Sequence, residues 1–150
     1  MRLSTLSLVW RTRPRCRGKT RRDFLDFVVD GRSLFDALGL DDKIGVLGWE
    51  VIEREHTEQL LLRQPSGLPT GRVPLYVCPE CGDLDCGTVA ARVEERGGAV
   101  VWSDFTHEVT YDVGDGHGTV QGRYEGAGPF AFDDETYRAV LVDRPARPAS

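Results

Sequence analysis

Residues 88–107 read TVAARVEERGGAVVWSDFTH, and this stretch decides the fold. Two runs rich in Val, Thr and aromatic residues flank Arg96-Gly97-Gly98. A glycine pair between two such runs signals a hairpin, because tight two-residue turns need a backbone that side chains with a Cβ resist. The spacing predicts two antiparallel strands, Thr88–Glu95 and Ala99–His107, with Val89, Val93, Val100 and Trp102 available for packing. A short apolar run just upstream, Val73–Val77, predicts a further strand, so the cysteine-bearing residues 78–87 lie between two strands.

Working outward, Leu6, Leu8, Trp10 and Thr12 share one face at period two, and Phe24, Asp26 and Val28 alternate with Leu25, Phe27 and Val29. Both read as strands, paired antiparallel. Asp30-Gly31 marks a turn, and Ser33 followed by Asp36 caps a short helix over Leu34, Phe35 and Leu38 that Gly39 stops. Good helix formers run from about Glu50 to Arg63, and Pro65, Gly67, Pro69 and Gly71 then break the chain. Glycine-rich residues 112–128 predict hairpin and loop, with a strand near Thr119–Tyr124. Asp133 or Asp134 caps a last helix through Tyr137, Val140 and Leu141. The expected class is α+β, a mainly antiparallel sheet with two or three short helices. The organisation reads as a basic N-terminal strand or arm (1–22, partly disordered in one reading), a single α+β domain (23–144) and a flexible tail (145–150).

The chain has 150 residues, 40% hydrophobic and 29% charged, which suits one globular domain rather than a disordered or fibrous chain. Its apolar runs are only a few residues long, far short of the ~20 that cross a bilayer. Ser4, Thr5 and Ser7 interrupt Leu3–Trp10, and Arg11, Arg13 and Arg15 stand where a signal peptide needs small residues. A soluble, cytoplasmic protein is expected. The net charge of −5 is segregated: residues 1–22 hold eight of the 19 basic side chains and no acid, leaving 11 bases against 24 acids elsewhere. An acidic body repels phosphates, which argues against nucleic acid and for a basic protein partner. The basic arm is most simply a solvated strand end facing that body.

Chemistry concentrates in Cys78-Pro79-Glu80-Cys81-Gly82. This is the CPxCG form of a zinc knuckle, in which one tight turn presents two thiolates and glycine lets backbone N–H groups approach sulfur. Cys86-Gly87 adds a third sulfur. A closed zinc site needs a fourth donor, for which His107, His56, His117, Cys16, Asp83 and Asp85 are candidates. His107 is preferred, because the strand leaving Thr88 is answered by one returning toward Cys86. Two other readings stay open. Cys78 and Cys81 also form a redox CxxC, against which Glu80, Asp83 and Asp85 are expected to raise the thiol pKa values. The three thiols can also be plain packing in a glycine-rich turn.

Other motifs carry less. Residues 112–118, DVGDGHG, lack the distal Glu of a calcium loop and the Lys-Ser/Thr of a phosphate loop. Ser103, Asp104 and His107 are triad residue types, but alternation sends Ser103 and Asp104 to opposite faces and no nucleophile elbow exists. Trp102, Phe105 and Tyr111 are expected to pack the core rather than form a binding platform.

Residues 74–87, PLYVCPECGDLDCG, followed by Val101-Trp102-Ser103-Asp104-Phe105, resemble a family of small uncharacterised bacterial proteins, some of them labelled oxidoreductases automatically. The likeness runs from about Phe24, through DFVVDGRSL (26–34), to GPFAFDDETYRAVL (128–141). It implies no activity and no catalytic residues. This chain departs from the pattern at Asp85, where glycine is expected, and at His107-Glu108-Val109. The resulting expectation is a non-enzymatic domain with Cys78, Cys81, Cys86 and His107 as metal ligands, zinc as the metal and a protein-interaction role. The alternatives are a thiol oxidoreductase using Cys78 and Cys81 with Cys86 as resolving thiol, and an immunity-type protein that neutralises a basic toxin.

Overall fold

The structure, a computed structural model, describes residues 2–15, 18, 20–110 and 120–148, with the Asp85 side chain outside that set. Cys16, Tyr111, His117 and the DVGDGHG stretch lie outside the described residues. The first half of the chain forms β1 (Leu3–Ser4), β2 (Leu6–Arg13), β3 (Arg22–Val29), β4 (Arg32–Ser33), α1 (Leu34–Ala37), β5 (Ile44–Gly45) and α2 (Glu50–Leu60). The second half forms β6 (Val73–Val77), β7 (Thr88–Arg96), β8 (Ala99–Glu108), β9 (Val120–Arg123), β10 (Phe130–Asp133) and α3 (Asp134–Val142). This is an α+β fold with mainly antiparallel sheets and short helices.

The Gly97-Gly98 turn has both residues at positive φ, +56° and +82°. It sets the β7–β8 register from Arg96↔Ala99 to Thr88↔Glu108. Around that hairpin grows a seven-stranded sheet in the order β1-β10-β8-β7-β6-β5, with β9 also paired to β8, while β2-β3-β4 form a second sheet. β1 and β10 pair in parallel; the other pairs are antiparallel. The core lies between the sheets: Phe27 of β3 meets Tyr76 of β6 and Trp102 of β8 edge-on, with centroids 5.7 and 5.4 Å away. Trp102 is buried and also packs on Phe132 and Tyr137. Each fully buried Phe contributes about 2 kcal/mol by removing apolar surface from water.

Ser33 caps α1 by accepting from the Asp36 amide, and Asp133 caps α3 by accepting from Thr136, at 3.1 Å. α2 ends at Leu60, three residues before the expected Arg63. Leu62 turns left-handed at φ +59°, and α3 supplies the partners for the freed carbonyls: Tyr137 donates to Leu60 and Arg138 to Leu61, both at 2.8 Å. Among the described residues, no helix is long and apolar enough to cross a membrane.

Candidate metal centre

β6 ends one residue before Cys78, and the chain turns at once: the Gly82 amide donates to the Cys78 carbonyl at 3.0 Å, with Gly82 at φ +65°. The Asp83 amide donates to Cys81 Sγ at 3.3 Å. A single 3₁₀ turn, Leu84–Cys86, then brings round the third sulfur. The three Sγ atoms lie within 4.8 Å of one another and can hold a metal ion. Zn–S bonds of about 2.3 Å in tetrahedral geometry place sulfurs about 3.8 Å apart, so binding one ion requires Cys81 and Cys86 to move apart. Cys81 and Cys86 are in contact at 3.0 Å, well beyond the ~2.05 Å of a disulfide, and all three thiols are free.

Three separate parts of the fold close on this loop. From the β2–β3 connection, Thr20 donates to Glu80 through its amide (2.5 Å) and its hydroxyl (3.0 Å), and from the first residue of β3, Arg22 Nε donates to the Pro79 carbonyl at 2.8 Å. Arg22 also stacks over Trp49, 4.2 Å from the ring centroid. From the start of α2, Trp49 and Ile52 press on Gly82, where a Cβ would stand 2.9 Å from the Trp49 ring. From β8, His107 presses on Gly87, where a Cβ would stand 2.8 Å from His107 Nε2.

The electrostatics correct one expectation. Burial pushes the Cys78 thiol up, but the amides of Cys81 and Glu80, with the neighbouring thiols, outweigh it and hold Cys78 below its ordinary value. The nearby acids do not prevent this, because Glu80 is turned toward Thr20, whose amide holds its carboxyl below the usual range. Cys86 is instead pushed up to about 12, first by its hydrogen bond with Cys81 and then by burial.

Of the four expected ligands, the fold brings together Cys78, Cys81 and Cys86. The hairpin register returns His107 to the neighbourhood, opposite Val89 and against Gly87, but outside the group formed by the three sulfurs. Its imidazole is held below the ordinary value by burial and then by Lys43. His56 is buried in α2, also outside the sulfur group. Trp102 and Phe105 are core residues, as expected.

A second polar cluster escaped sequence reasoning. Buried Glu108 accepts from Arg72 at 3.2 Å, from Thr70 at 2.7 Å and from Thr106 at 2.6 Å. Arg72, also buried, donates to the Asp104 carboxylate, which Arg123 reaches at 2.6 Å. The available signal was the period-two run Asp104, Thr106, Glu108 at the end of β8.

No family model matches this chain, and no curated protein or solved structure matches it.

Proposed function

We propose that Cys78, Cys81 and Cys86 bind one zinc ion in a structural site, and that the domain acts by binding a basic protein partner rather than by catalysis. The observation that carries the metal reading is the convergence of three free sulfurs within 4.8 Å of one another, with the Asp83 amide donating to Cys81 Sγ. N–H donors favour thiolate over thiol, and thiolate is the form a metal takes. The partner reading rests on the excess of acids outside residues 1–22.

Zinc content of protein purified without chelator or nickel affinity tests the metal reading. About one zinc per chain is expected, lost in Cys78→Ser and Cys81→Ser together with a fall in Tm. Parallel His107→Ala and Cys16→Ser variants identify the fourth donor by which one loses metal.

A second reading is favoured by the 3.0 Å contact of the exposed Cys81 and Cys86. These two thiols can reduce a partner disulfide while forming their own. Metal-free protein in which one cysteine alkylates rapidly at neutral pH overturns the zinc reading in favour of this one. Metal-free protein with three slow thiols overturns both.

A further inference from the structure

The segment after α3, Arg144-Pro145-Ala146-Arg147-Pro148, folds back onto Trp10 of β2 with the contacts of a peptide ligand. Trp10 Nε1 donates to the Pro145 carbonyl at 3.1 Å, and the Arg147 guanidinium lies over the Trp10 ring, 4.8 Å from its centroid. Arg144 pairs with Glu53 at 3.1 Å, and Arg147 donates to the Gly48 carbonyl. The acceptor Glu53 is itself fixed by the Gly48 amide, at 2.9 Å. Gly48 sits at φ +98°, and a Cβ there would stand 2.9 Å from the Trp10 ring, so glycine is what lets this backbone lie beside the indole.

These parts are those by which extended, proline-containing basic segments are recognised. An indole N–H takes a main-chain carbonyl, a carboxylate takes arginine, and a flat ring takes a guanidinium face. Proline presets an extended backbone, so little ordering entropy opposes docking. A cavity of about 280 Å³ remains among Trp10, Leu25, Gly48, Glu50, Glu53 and the segment, so the groove has room that the segment leaves unfilled. Glu50 at its edge makes no ion pair among the described residues and offers a second carboxylate to a basic ligand.

We propose that the Trp10 groove docks an extended segment of a partner protein containing arginine and proline, and that Arg144–Pro148 occupies it in cis until displaced. The inference rests on the partner-binding part of the proposed function and not on the metal part. The excess of 24 acids over 11 bases outside residues 1–22 favours such a partner over an acidic one.

The test uses the full chain and a free peptide with the sequence of residues 144–150, RPARPAS, read on the Trp10 indole N–H resonance. In Arg144→Ala/Arg147→Ala that resonance moves. The peptide restores it with an affinity at least about tenfold tighter than for the wild type, whose own segment competes. Glu53→Arg in the same background abolishes binding and the milder Glu53→Gln weakens it, with near-UV circular dichroism confirming that both are folded. Equal affinity for wild type and double variant overturns the proposal. So does equal binding of a peptide with both prolines replaced by alanine, which would reduce the effect to charge. A Trp10 resonance that moves with protein concentration, alongside dimer formation, overturns it in favour of a second copy's segment. Zinc content is unaffected by these variants, so failure here leaves the metal reading standing, and the reverse.

Discussion

Arg72→Met is the most informative single change to the mouth of the β7–β8 hairpin. Glu108 has no exposed surface and Arg72 is 4% exposed, so their 3.2 Å contact is a buried ion pair. Methionine keeps the aliphatic volume but strands the Glu108 carboxylate with only Thr70 and Thr106 as donors. Asp104 retains Arg123. Stranding a buried charge costs about 3–5 kcal/mol. Glu108→Gln is milder, about 1.5–3 kcal/mol, because Arg72 keeps its Asp104 contacts and the amide fills the same space. The double variant Arg72→Met/Glu108→Gln no longer holds a stranded charge, so its cost falls short of the sum by about 1–3 kcal/mol. Urea unfolding with an unchanged m-value measures all three. A loss below about 1 kcal/mol for Arg72→Met, the range of an exposed pair, refutes the reasoning, as does simple additivity. Glu108 pairs with Thr88, two residues beyond Cys86, so the same contacts hold the strand that leaves the cysteine loop.

Two further changes probe the site and the core. Gly87→Ala puts a side chain on a backbone at φ +99° and 2.8 Å from His107 Nε2; a loss of about 1–3 kcal/mol is expected, with weaker zinc retention against a chelator, and an unchanged Tm counts against the packing described. Burial holds the His56 imidazole below its ordinary value, against smaller opposing effects of Glu55 and Gln59. Below the unfolded value near 6.5, the unfolded chain takes a proton that native His56 refuses, so this contribution is full above that pH and declines as pH falls toward the folded value. His56→Leu is expected to flatten the stability profile between about pH 7 and pH 5, measured by urea unfolding at each pH; a profile as steep as the wild type's rejects the assignment.

Local signals carried the reading where local chemistry sets the backbone. Gly97-Gly98 fixes its hairpin, Ser33 and Asp133 cap their helices, and Val73–Val77 forms the strand expected of it. The elements that escaped are β1, β5 and β10, two to four residues long and defined by distant partners, as in Leu3↔Ala131, and the two-residue β4, which folds back on β3 across the Asp30-Gly31 turn. The end of α2 was likewise invisible, since the groups that take its last carbonyls are 77 residues away. At the candidate site, spacing foretold the convergence of three sulfurs, and hairpin register foretold His107 nearby. The lowered pKa of Cys78 did not follow, because composition counts the carboxylates around a thiol but not the backbone and thiol groups of the turn that favour the thiolate.

The way the cysteine loop is held bears on its chemistry. A thiol that attacks a partner disulfide works through a mixed-disulfide intermediate, which needs access to the attacking sulfur and freedom for the resolving one to approach. Here the exposed Cys81 and Cys86 meet both needs, whereas Cys78 is half-buried and the loop is held from outside: Gly82 lies under Trp49 and Ile52, Gly87 lies under His107, and Pro79 and Glu80 are tied to Arg22 and Thr20. None of these contacts belongs to the loop itself; they come from the β2–β3 connection with the start of β3, from α2 and from β8. A loop fixed from three directions presents a set of donors at constant spacing, which suits an ion that demands a polyhedron. An ion there would in turn fasten the loop against all three directions. Cys81 and Cys86 are exposed, so a fourth donor to an ion held there would approach from the solvent side. A structural metal role would use this fixed loop directly, and the groove proposed around Trp10 is a separate surface for the proposed partner binding.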